Sequence, residues 1–109
     1  MISADAIRGY VDLIILSLLS RQPSYAYELA KTITETSAGQ YTIKQTTLYT
    51  ALKRLEAAGL SASFQDVSES GKPRTYYRLT PRGQEQLSAK LLEWAATKDL
   101  IDRFTEGHH

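Results

Sequence analysis

Over residues 60–79 the apolar pattern of this 109-residue chain changes period, and that change constrains the fold more than any other feature. Leu60, Ala62 and Phe64 alternate with polar residues, Ser68 to Pro73 reads as a turn, and Thr75, Tyr77 and Leu79 alternate again. A two-residue repeat on both sides of a turn predicts a β-hairpin. On either side of it the spacing is helical. From Ile7 to Ser20 the residues Val11, Leu13, Ile14, Ile15, Leu16, Leu18 and Leu19 are dense enough to predict a helix buried on several sides, since a buried strand would be shorter. Pro23 then punctuates, and Ser24 is placed to N-cap a second helix through Tyr25, Ala26, Leu29, Ala30 and Ile33, with Gly39 closing that region. Leu48, Leu52 and Leu55, with Ala51 beside them, predict a third helix from Gln45 to Ala58, stopped by Gly59. Thr80-Pro81 begins a last, long helix with a hydroxyl N-cap and a proline at its first position, and its apolar residues continue to Phe104.

Three helices, a hairpin and a long helix make a mainly α (α+β) chain on the plan of a winged helix-turn-helix with a long C-terminal helix suited to dimerisation. The expected division is a DNA-binding unit over residues 1–80, a dimerisation helix over 81–106, and a tag-like remnant at 107–109, whose His108 and His109 receive no functional weight. The chain has no cysteine, which removes disulfides, thiolate zinc sites and cysteine nucleophiles, and suits a reducing cytoplasm. Its longest apolar run, Leu13 to Leu19, is too short for a membrane span, and no signal peptide is expected. Without a glycine-rich phosphate loop or a histidine and carboxylate cluster at catalytic or ligand spacing, neither an enzyme nor a metal or cofactor is expected.

The net charge of +1 hides a segregation. Residues 41–83 carry seven basic against three acidic side chains, whereas residues 84–109 carry three against five. A basic middle suggests a polyanion-binding face. On the third helix Thr46, Thr50, Lys53 and Ala57 fall opposite Leu48, flanked by Tyr49 and Arg54. Small and hydroxyl-bearing side chains let the backbone approach base edges, while Lys53 and Arg54 reach bases or phosphates. The first turn, Lys44, Gln45, Thr46 and Thr47, adds donors at the positive end of the helix dipole. At the hairpin, Ser70-Gly71-Lys72-Pro73-Arg74 reads as a flexible basic tip, followed by Tyr76, and suits a narrow groove or a phosphate backbone. Tyr25 and Tyr27 cannot share a helix face, so one packs inward; Tyr27 suits either a phosphate or the core. A solvated helix and a plain soluble turn resemble these features singly. Both in this order point to double-stranded DNA, the alternative being a protein-interaction module that keeps the scaffold without DNA binding.

The segments running Gly9 to Leu19, Ser24 to Leu29, Thr47-Leu-Tyr-Thr-Ala-Leu-Lys-Arg-Leu-Glu-Ala-Ala-Gly-Leu60 and Arg74-Thr-Tyr-Tyr-Arg-Leu-Thr-Pro-Arg-Gly83 resemble the PadR family of repressors over nearly the whole chain. The resemblance implies a homodimer whose last helix packs on the partner's first helix, with two wings presented to a pseudo-palindromic operator. It also implies a repressor released by a small hydrophobic or aromatic effector or by a stress signal. Ile14, Leu18, Leu87, Leu91, Trp94, Ile101 and Phe104 are the expected interface, because the last helix shows more apolar surface than a small monomer covers. Trp94 stands where a multidrug-sensing relative carries an inward-facing tryptophan, which makes Trp94, Leu91 and Lys98 candidate effector contacts; dimer-core packing is the other reading of the indole. That relative has an acidic residue where this chain has Lys98, so a preference for cationic drugs does not carry over.

Overall fold

The computed structural model describes residues 1–107, so the tag reading of His108 and His109 lies outside the described residues. A short helix α1 (Ala4–Ile7) and a 3-10 turn (Arg8–Tyr10) lead into α2 (Val11–Arg21). The single first helix expected from Ile7 is therefore broken. Gly9, a poor helix former, stands in the break, and Ser3 caps α1 separately by accepting the Ala6 N–H at 3.1 Å.

Next come β1 (Ser24–Tyr25), α3 (Ala26–Thr36) and α4 (Gln45–Ala57). The expected N-cap at Ser24 is not formed. Ser24 is buried and pairs with Tyr77, and α3 starts after Tyr25 without a side-chain cap. The competing demand is the sheet: β2 (Ser61–Val67) and β3 (Pro73–Leu79) form the expected hairpin, and Ser24-Tyr25 adds a third strand to its other edge, in the order β1-β3-β2. One apolar alternation also differs. Thr75 is exposed, while Arg74 and Tyr76 are half-buried against Tyr25 and Phe64.

The core is built by α2, α3 and α4, with Ile15, Leu16, Leu29, Leu48, Leu52 and Leu55 fully buried. Burying a side chain of this size contributes about 1.5–3 kcal/mol. Tyr41, Ile43 and Tyr77 close it from the α3–α4 connection and the sheet. Burial raises the hydroxyl pKa of Tyr41, and it does the same for Tyr77 with help from the carboxylate of Glu56.

Helix α4 ends at Gly59 (φ +77°), where Leu60 N–H donates to the Leu55 carbonyl at 2.9 Å and Gly59 N–H to the Glu56 carbonyl at 3.0 Å. The last helix, α5 (Pro81–Thr105), begins as the sequence predicts, with Thr80 Oγ1 accepting the Gly83 N–H at 3.0 Å and Pro81 at the first position. The same hydroxyl donates to the Gly59 carbonyl at 2.7 Å, which ties the end of α4 to the start of α5. Only Gly83 and Leu87 of α5 are buried. Leu87 packs into its own chain's core, so its expected place at a subunit interface is corrected; a side chain covered within the chain presents no surface to a partner. Beyond it α5 projects, and the molecule measures 53 × 29 × 21 Å.

Candidate nucleic-acid interface

The inner side of α4 is fixed by Leu48, Ala51, Leu52 and Leu55, all buried. That leaves Thr46, Thr50, Lys53 and Ala57 exposed together along the opposite side, as the helical spacing requires. At its start the N-cap position, Lys44, makes no side-chain cap, so the first-turn amides point outward beside Lys44, Gln45, Thr46 and Thr47, all exposed. The geometry leaves room for hydroxyl donors and one long cation at base edges, with amide donors and the helix dipole facing a phosphate.

Arg54 flanks that face with 53% of its side chain exposed, but it is not a free cation. Its guanidinium pairs with the half-buried carboxylate of Asp12 on α2, so it fastens α4 to the helix behind it. The pairing residue lies 42 positions away, and no local spacing signals it.

The wing carries Lys72 on an exposed tip, but the tip is closed rather than loose. Ser68 N–H donates to the Lys72 carbonyl at 2.9 Å, Gly71 N–H to the Ser68 carbonyl at 2.8 Å, and the Ser68 and Ser70 hydroxyls lie 3.0 Å apart. Gly71 at φ +84° supplies the left-handed turn this closure needs. Tyr76 is half-buried, stacked on Phe64 at 5.6 Å and edge-on to Tyr25 at 5.3 Å, so its ring braces the wing against β1 instead of standing free for DNA. Desolvation raises its hydroxyl pKa, as do the carboxylates of Glu28, Asp66 and Glu69 and the Tyr25 hydroxyl. Arg74 lies over the Tyr25 ring, 5.3 Å from its centroid, and its Nε is buried with no hydrogen-bond partner among the described residues.

Between the wing and the helices these parts form a cleft of about 270 Å³, lined by Tyr27, Tyr49, Arg74 and Thr75 over a floor of Tyr25 and Tyr77. No carboxylate lines it among the described residues. Tyr27 is 68% exposed, which settles the inward and outward split of Tyr25 and Tyr27 in favour of an outward Tyr27. Tyr25 and Thr75 were not anticipated at this site. The pairing of β1 with β3 brings them there, and a two-residue strand leaves no periodic signal in sequence.

On α5, Leu91, Trp94, Ile101 and Phe104 are exposed together with Leu92 and Leu100, while Ile14 and Leu18 on α2 are half-buried. Trp94 meets Tyr10 edge-on at 5.0 Å, and the Lys98 ammonium lies 5.9 Å from the indole centroid. The crevice beside this pair, bounded by Tyr10, Leu13 and Trp94, holds only about 30 Å³, room for a water and not for an aromatic molecule. No described helix is long and apolar enough to cross a membrane.

A three-helix core, a basic wing and an exposed hydroxyl- and lysine-bearing helix beside it define a winged helix-turn-helix DNA-binding regulator. The profile of the PadR-like transcriptional regulator family matches residues 15–89, and the chain belongs to that family. A transcriptional regulator of Clostridium thermocellum is 47% identical, covers 97% of this chain with all of its own, and superposes with a TM-score of 0.88. A PadR family regulator of Clostridium difficile is 37% identical, with 88% of this chain and 98% of that chain covered and a TM-score of 0.78. A Lysinibacillus sphaericus chain described only as an uncharacterized protein is 42% identical over 108 residues, 98% of each chain.

Proposed function

We propose that the chain is a homodimeric repressor that holds a pseudo-palindromic operator and releases it when a small hydrophobic or aromatic effector binds between the subunits. The observation that carries the DNA part is the cleft joining Tyr27 and Tyr49 to Arg74 of the wing, lined by no carboxylate among the described residues and beside the exposed face of α4. In this reading Thr46, Thr50 and Lys53 meet base edges, while Lys72, Arg74, Tyr27 and Tyr49 meet phosphates on the wing side. A DNA partner and the absence of cysteine support work in the cytoplasm.

The test is a salt titration of binding to duplexes selected from a random pool. Arg74→Ala should weaken binding to every sequence and lower the salt slope by about 1, as loss of one phosphate contact does. Lys53→Ala should chiefly relax sequence preference. If both variants keep the parent's affinity, slope and preference, the surface is misassigned. If the parent itself shows no salt-sensitive binding, the scaffold serves protein partners instead.

The effector part rests on Trp94, whose single-chain crevice is too small for an aromatic ligand and would have to be completed by a second copy. Trp94 is the only tryptophan in the chain. Saturable quenching of its emission by planar aromatic compounds, with matching loss of operator binding, is the expected result. Quenching that leaves operator binding untouched would separate Trp94 from regulation.

A further inference from the structure

At about 100° per residue, Tyr49 and Thr47 fall on opposite flanks of the outward face that holds Thr46 and Thr50. Tyr49 borders the cleft under the wing. Thr47 borders a second and larger recess, about 520 Å³, between α4 and the N-terminal segment. The far wall of this recess is fastened, because the Ile2 N–H donates to the Gln40 carbonyl at 2.7 Å and Ile7 packs on the core.

Its lining has a definite chemistry. Arg8, Lys44 and Arg54 supply cations, and Thr42, Thr46, Thr47 and Thr50 supply hydroxyls that make no hydrogen bond within the chain among the described residues. Among the described residues no carboxylate lines the recess. Asp5 and Asp12 are paired with the lining residues Arg8 and Arg54, and among the described residues no carboxylate pairs with the ammonium of Lys44. A helix about 10–12 Å across fills a major groove about 12 Å wide, and a phosphate strand then runs along each of its flanks. The wing cleft suits one strand, and its counterpart on the other flank is this recess.

We propose that the recess receives the second phosphate backbone, with Lys44 and Arg8 as its charges and the Thr42 and Thr47 hydroxyls as donors. The N-terminal segment is then a DNA-contacting wall and not merely a cover for the core. This inference rests on the reading of α4 as the base-facing helix.

The experiment measures fluorescence anisotropy of the full-length protein on a selected duplex and on a random duplex across a salt series. Arg8 lies on the surface, with 77% of its side chain exposed, so its removal leaves the core intact, and circular dichroism checks this. Arg8→Ala should weaken both duplexes by about fivefold and lower the salt slope by about 1 without changing sequence preference. Asp5→Asn, which frees Arg8 from its carboxylate, should tighten both. If Arg8→Ala and Asp5→Asn are silent while Arg74→Ala weakens binding, the proposal fails and the DNA reading stands. If all three are silent, the proposal fails and the α4 and wing surface is misassigned too, and a parent without salt-sensitive binding to either duplex overturns the DNA reading itself. Saturable binding of benzoate that Arg8→Ala abolishes, with the salt slope unchanged, would make the recess a small-acid site and overturn the proposal.

Discussion

Replacing Gly83 with alanine is expected to destabilise the fold by about 3 kcal/mol or more, a large share of the roughly 5–15 kcal/mol that holds a small domain together. The backbone conformation at Gly83 is not of the left-handed kind, so the requirement is for space alone. A Cβ there would stand 2.0 Å from the Leu60 carbonyl oxygen and 2.7 Å from Leu79 Cδ1. The side chain of Leu79 can turn, but the carbonyl cannot move freely, because it accepts the Thr80 N–H at 3.2 Å and follows directly on the Gly59 turn. Relief would have to come from pushing α5 off the hairpin, which would strain the Thr80 bridge and the seat of Leu87. Urea and thermal unfolding of the full chain measure the effect. A midpoint within a degree or two of the parent would show that the contact yields more easily than its backbone partners suggest.

A comparably large result is expected at the far end of the same helix. From Ser88 to Thr105 no residue of α5 is buried, yet the segment carries Leu91, Leu92, Trp94, Leu100, Ile101 and Phe104. An isolated helix of that length is marginal in water, and an apolar stripe of that extent marks an interaction surface. With the proposed dimer covering it, Ile101→Glu places a charge in an apolar contact, where an uncompensated buried charge costs about 3–5 kcal/mol. That weakens association by about two to three and a half powers of ten per site at about 1.4 kcal/mol per tenfold, and a two-fold dimer carries the change twice. Combined with Phe104→Glu, it should give a monomer at micromolar concentration by light scattering, with operator binding falling to that of a single half-site. A parent protein that is itself monomeric under those conditions would sink the dimer. Ile101 and Phe104 are exposed in the single chain, so the monomer keeps its core, and far-ultraviolet circular dichroism with cooperative thermal unfolding serves as the control.

Legibility from sequence followed the range of the interactions concerned. Leu48, Leu52 and Leu55 repeat at helical spacing, so both the buried and the exposed sides of α4 can be read directly, and Thr80-Pro81 announces α5 because a cap is local chemistry. What could not be read depends on residues brought together from far apart. Ser24 has the composition of a cap but is claimed by a strand pairing with Tyr77, and Arg54 looks like a free cation until Asp12 of α2 meets it. Leu87 and Leu91 share an apolar pattern, yet only the position at which α5 leaves the sheet decides that the first packs inward and the second is exposed. Tyr76 belongs to the same group: the basic turn before it suggests a free contact, and its ring is taken by Phe64 and Tyr25.

The Thr80 hydroxyl bridges the Gly59 carbonyl and the Gly83 amide, so the last turn of α4 and the first turn of α5 share one atom as their joint. In mechanical terms α4 and the long arm form a crank, because the hairpin that joins them in sequence brings their ends back to this one shared joint. In the proposed dimer, any rotation of one arm about the partner's arm would therefore reach the proposed DNA-facing surface as a change of angle and separation, so the half-site spacings that dimer could span would follow from how two copies of α5 cross.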